Sequence, residues 1–120
     1  GFTPMRTDRG GKTAEGIYRY SHLHGLLPRL GFFAGNEDRI PYDYHEILAS
    51  VAPKPMLIIS PTWDQYASSE DVTQAVQQAA EIYELYGVEE ALQFENPEDY
   101  NRFSPEMKDM VVNWAAKTIK

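Results

Sequence analysis

The chain has no cysteine. Disulfides, thiol catalysis and Cys-ligated metal sites are therefore excluded. It has no cluster of basic residues either. Eleven Lys and Arg are scattered among eighteen Asp and Glu, for a formal net charge of -7. Phosphate binding needs grouped cations, so nucleic acid and anionic membrane surfaces are excluded as main partners. No apolar run is long enough to span a bilayer. No glycine-rich phosphate loop follows either strand candidate, which argues against a flavodoxin-like nucleotide site. The N-terminus, Gly1-Phe2-Thr3-Pro4-Met5, lacks both an initiator methionine and the charged and apolar regions of a signal peptide. A clipped or bounded chain is the expectation. What is present is a composition that folds: 42% of the 120 residues are apolar, enough for one packed core.

The chain divides into two styles. Residues 1–41 are rich in Gly, Pro, Arg and aromatics, with weak periodicity and one helix expected around Ala14–Leu23. Residues 42–120 alternate between helix and strand patterns. Tyr44 to Val51 reads as a short helix with Tyr44, Ile47, Leu48 and Val51 on one face. Ala52-Pro53-Lys54-Pro55 ends it. Met56-Leu57-Ile58-Ile59 is an apolar run bounded by turn residues, the pattern of a parallel strand buried on both faces. A long helix follows from Ser68, with Asp71 at capping-box spacing and Glu70 and Asp71 at the positive end of the helix dipole. Its inner face is Val72, Ala75, Val76, Ala79, Tyr83 and Tyr86, and Gly87 stops it. Ala91 to Phe94 reads as a second strand and 96–103 as a loop. Ser104-Pro105 then caps and opens a last helix, whose core face is Met107, Met110, Val111 and Trp114. The class is α/β: a parallel strand-helix-strand-helix unit preceded by a loop-rich segment with a short helix, forming one incomplete domain. A two-stranded parallel sheet is a poor structure alone. Further strands are therefore expected from an absent N-terminal half or from a second copy of the chain.

Sites in open parallel sheets lie beyond the carboxyl ends of the strands. Two segments occupy that position, Pro61-Thr62-Trp63-Asp64-Gln65-Tyr66 and Asn96-Pro97-Glu98-Asp99-Tyr100-Asn101-Arg102-Phe103. Adjacent parallel strands bring them to one edge.

These segments carry a resemblance. Ala52-Pro53-Lys54-Pro55 before the strand, Ser60-Pro61-Thr62-Trp63-Asp64 after it, Gly25-Leu26-Leu27-Pro28-Arg29-Leu30-Gly31 upstream and Asn101-Arg102-Phe103-Ser104-Pro105 downstream occur together and in order. The chain resembles the C-terminal portion of an α/β-hydrolase, in the dienelactone hydrolase and acetyl-xylan-esterase-like branch. The resemblance implies acyl transfer at an ester or related bond: a serine attacks a carbonyl, a histidine moves the proton and an acid orients the histidine. It implies no cofactor and no metal. It maps the acid onto Asp64; the structural alternative is that Asp64 caps a turn or the next helix. Two features depart from the pattern. Ser21, Ser50, Ser60, Ser68, Ser69 and Ser104 all lie outside any Gly-x-Ser-x-Gly elbow. The loop before the last helix holds no histidine, and Asn101 stands at the base position. An amide does not titrate usefully near neutrality, so Asn101 is not a competent base.

Other candidates carry two roles each. Trp63, Tyr66, Tyr100 and Phe103 either line a substrate pocket or anchor loops. Arg29, Arg39 and Arg102 either bind a substrate carboxylate or pair with Glu37, Asp38 or Asp99. His22, His24 and His45 lack a third ligand at metal-binding spacing, and His24 is a further candidate for the active-site edge. Two functions follow. The chain is part of a serine-type esterase taking a small ester-type substrate, inactive alone because the nucleophile elbow is absent. Alternatively it is a non-catalytic, hydrolase-like interaction module that completes its sheet by oligomerisation.

Overall fold

The α1 helix, Tyr44–Ala49, starts at Asp43, whose side chain accepts from helix backbone while the Glu46 side chain accepts from the Asp43 N–H. This reciprocal cap satisfies donors that the first turn leaves without partners. A computed structural model gives these elements and describes residues 4–6, 30–33, 35–65 and 67–119. The helix expected around Ala14–Leu23, and with it His22, His24, Arg29 and Tyr66, lies outside the described residues. Within them, short 3-10 turns at Leu30–Phe33 and Glu37–Arg39 precede α1.

The main unit then runs β1 (Met56–Ile59), α2 (Ser69–Leu85), β2 (Leu92–Glu95) and α3 (Pro105–Thr118). The two strands pair in parallel, with Met56 opposite Leu92 and Ile59 opposite Glu95. Ser68 caps α2 by accepting from the Asp71 N–H, and Ser104 caps α3 by accepting from the Met107 N–H, with Pro105 at the first position. Gly87 follows α2 with φ +67, a left-handed conformation that terminates helices readily only where no Cβ intrudes.

The core lies between α1, α2 and the sheet. Leu48, Ile58, Ala67, Val72, Ala75, Val76 and Ala79 form one buried cluster, with Met56, Leu92 and Phe94 packed on it. Tyr83 is fully buried, and its hydroxyl donates to the Lys54 carbonyl at 3.0 Å. A smaller cluster joins Met5 to Ile40, Phe33 and Tyr44.

Several expectations need correction. The α1 helix ends at Ala49, and Ile47 is exposed, because Leu48 and Ala49 are the residues of this helix that meet the cluster. Tyr86 is not on the inner face of α2. It is the C-cap residue and exposed, since the helix has ended before that face comes round again. The second strand begins at Leu92, because Glu89–Ala91 form a 3-10 turn. On α3 only Met107 is buried; Met110 and Trp114 are half-buried and Val111 and Val112 are exposed. That face meets β1.

Candidate active site

The strand ladder does not stop where the strands do. The Ser60 N–H donates to the Glu95 carbonyl at 2.9 Å, Thr62 to Pro97 at 2.9 Å and Trp63 to Asp99 at 3.0 Å. The loop after β1 is thereby zipped to the loop after β2, at the carboxyl edge where parallel sheets carry their sites. Trp63 and Tyr100 form a parallel bridge, and their rings lie 5.1 Å apart at a tilt of 59°. Tilted aromatic pairs at this separation attract through their quadrupoles. Both rings are more than half exposed, so the pair presents an apolar surface to solvent.

Arg102 lies on the same turn. Its Nε donates to both carboxylate oxygens of Asp99, at 2.8 and 3.0 Å. The guanidinium holds the Asp99 carboxyl below the usual range, helped by the Tyr100 N–H, and the carboxylate raises Arg102 in return. Arg102 thus makes one of the carboxylate pairings foreseen for it, the one with Asp99. Glu106 is also lowered, first by its own backbone N–H and then by Ser104, as expected for a carboxylate at a helix start. Trp63, Glu98, Asp99, Tyr100, Arg102 and Glu106 surround an open hollow of about 400 Å³.

Among the sequence candidates, the structure therefore brings Trp63, Tyr100 and Arg102 together. Asp64 sits next to Trp63, half-buried, with its N–H donating to the Pro61 carbonyl at 3.3 Å. Asn101 is exposed and lines a second groove of about 460 Å³ with Arg102, Leu57, Ile59, Pro61, Phe103, Met107, Val111 and Trp114. Asp64 borders neither hollow. His45 is half-buried on α1, remote in sequence from both loops. Among the described residues no group of three His, Asp or Glu side chains is placed to hold a metal ion.

One residue that organises the site has no distinguishing pattern in the sequence. Asn96 follows β2 directly; its Nδ2 donates to the Ser60 carbonyl and its Oδ1 accepts from the Ser69 hydroxyl at 3.0 Å. An asparagine before a proline reads only as a turn residue.

A family model described as glucuronyl esterase, fungi, matches residues 6–87, more than half of the chain. The matched span includes β1, Trp63, Asp64 and α2 and ends before the second loop. The chain belongs to this esterase family. Among curated proteins it is similar to the carbohydrate esterase MZ0003 of an unknown prokaryotic organism, 34% identical over 79 residues, which is 66% of this chain. The chain spans 18% of that relative's length. No solved structure matches.

Proposed function

We propose that the chain is the part of a carbohydrate esterase that carries the acid loop and the base loop of a serine-type site. The observation that carries this reading is the zipper of Thr62 to Pro97 and Trp63 to Asp99, which joins two strand-end loops in a chain of the glucuronyl esterase family. In this reading the substrate is a carbohydrate ester. Asp64 is the acid that orients an imidazole and stabilises it when protonated. Trp63 and Tyr100 offer ring faces to the apolar side of a sugar, and Arg102, steered by Asp99, borders the same hollow. Tyr66 belongs to the same loop and is assigned with them. Asn101 holds the base position without supplying a base.

The serine elbow is absent from these 120 residues, so in this reading the nucleophile comes from another segment. The purified chain should not hydrolyse simple aryl acetates above the buffer rate. Turnover by the chain itself, abolished by Asp64→Ala, would show that the site is complete and the reading mistaken.

A second reading is supported by one feature. Among the described residues β1 has a strand partner on one edge only, and the apolar groove of Leu57, Ile59, Met107 and Val111 runs beside it, with the Trp114 Nε1 buried and without a hydrogen-bond partner. Exposed edges and apolar patches drive association, so an interaction module that pairs with a second copy fits this face. Sedimentation should then show a concentration-dependent dimer. A monodisperse monomer across the accessible range counts against the module.

A further inference from the structure

Asn96 touches both ends of one loop. The segment bearing Trp63 and Asp64 leaves the sheet at Ser60 and enters α2 at Ser69. Asn96 Nδ2 holds the Ser60 carbonyl and Asn96 Oδ1 holds the Ser69 hydroxyl. Asn96 itself opens the second site loop, immediately after β2. One side chain therefore closes the first loop at its base and ties it to the start of the second.

We infer that Asn96 is a positioning residue that sets the Trp63–Asp64 loop against the Tyr100–Arg102 loop, and that only a side chain able to donate and accept at once can do so. A carbonyl oxygen can only accept, so the group facing Ser60 must donate. The Ser69 hydroxyl donates, so the group facing it must accept. An amide meets both demands in one plane. A carboxylate fails the first, since it would set a lone pair against the Ser60 carbonyl. The functional meaning of the tie rests on the esterase reading; the tie itself rests on the two hydrogen bonds.

The closest test is Asn96→Asp in the full chain, followed by NMR across pH with the parent chain as reference. The readouts are the protection of the Thr62 and Trp63 amides, which bond to Pro97 and Asp99, and the ring-to-ring cross-peaks of Trp63 and Tyr100. At neutral pH the variant should lose those cross-peaks, and protection at both amides should fall roughly tenfold, as for one lost hydrogen bond. Ala79 and Tyr83 amides in α2 should keep theirs. As pH falls, the new carboxyl takes up a proton, becomes a donor, and both signals should return. An ordinary Asp titrates near ~3.9. The charged groups on the two loops, the end of β2 and the first turn of α2 are Asp64, Glu70, Asp71, Glu95, Glu98 and Asp99, with Arg102 engaged by Asp99.

Unchanged protection and cross-peaks in Asn96→Asp at neutral pH would overturn the inference, as would a loss that acid does not reverse. If the variant also loses the α2 amides, Ser69→Ala decides. It removes one of the two bonds, and unaltered Trp63 and Thr62 protection there would equally overturn it. Ester hydrolysis plays no part in this readout, so failure of the esterase reading and failure of the Asn96 tie are distinguished.

Discussion

Tyr83→Ala is expected to remove about 3–5 kcal/mol of stability, the usual effect of emptying a fully buried aromatic site. Small domains have only roughly 5–15 kcal/mol in total, so the variant should be largely unfolded or close to it. The size follows from position. Tyr83 is 0% exposed on the inner face of α2, and its hydroxyl donates to the carbonyl of Lys54, which shortly precedes β1. The ring joins helix to core, and the hydroxyl joins helix to the chain entering the first strand. Tyr83→Phe separates the two. It keeps the packing and drops one neutral hydrogen bond, a loss of roughly 0.5–1.5 kcal/mol. Urea denaturation of the three proteins gives the comparison, and an alanine variant within about 1 kcal/mol of the parent would refute the packing argument. Burial also raises the phenol pKa. A raised folded value means that the contribution is complete below the ordinary tyrosine range near ~10 and is lost as pH climbs through the folded value. Alkaline unfolding should therefore be shallower in Tyr83→Phe than in the parent.

The same residue shows what the sequence makes legible. Val72, Ala75, Val76, Ala79 and Tyr83 recur at helical spacing, and all five are buried. Periodicity reports which side of a helix meets the core, because a helix that packs on a sheet must hide one stripe. It does not report where the helix stops, so Tyr86 falls on the stripe by spacing although the helix has already ended at Leu85. The place of β1 and the serine caps of α2 and α3 are readable for similar reasons, each a local rule with a local cause, but the expected burial of β1 on both faces is not met: only Ile58 is buried, and Leu57 and Ile59 line an open groove. The face of α3 was not. Met107, Met110, Val111 and Trp114 have the right spacing, yet only Met107 is buried, because burial also requires something to pack against. In the site, the meeting of the two loops followed from parallel pairing alone, and Trp63 and Tyr100 were recognisable as aromatics at strand ends. Asn96 was not. Its role depends on contacts 27 and 36 residues away, which no spacing rule reaches. The Asp43 cap does have a local signal: Asp43 and Glu46 stand three apart, the spacing of a reciprocal cap.

That cap leads to the second large effect, Asp43→Ala. Asp43 is 6% exposed, and its carboxylate does two jobs at once. Oδ1 accepts from the Tyr44 N–H at 2.7 Å at the start of α1. Oδ1 and Oδ2 also accept from the N–H groups of Met5 and Arg6, at 3.0 and 3.2 Å, holding a segment 37 to 38 residues earlier in the chain. Losing an N-cap alone costs about 0.5–2 kcal/mol, and hydrogen bonds to a charged group add about 1.5–3 kcal/mol where their donors stay buried. Residues 4–6 can swing out to water, which limits the total to about 2–3 kcal/mol. Amide exchange should show the loss unevenly: Met5 and Arg6 become unprotected, the first turn of α1 frays, and α2 keeps its protection. Met5 then leaves Ile40, Phe33 and Tyr44, its packing neighbours. The nearby ion pair of Arg6 with Glu46, at 2.7 Å, is partly exposed on both sides. Such pairs contribute less than about 1 kcal/mol, so Arg6→Ala should leave the Met5 amide protected. If Arg6→Ala frees Met5 as completely as Asp43→Ala does, the Arg6 side chain, through Glu46 and its Nε hydrogen bond to the Ile40 carbonyl at 2.9 Å, rather than the buried carboxylate holds the N-terminal segment in place.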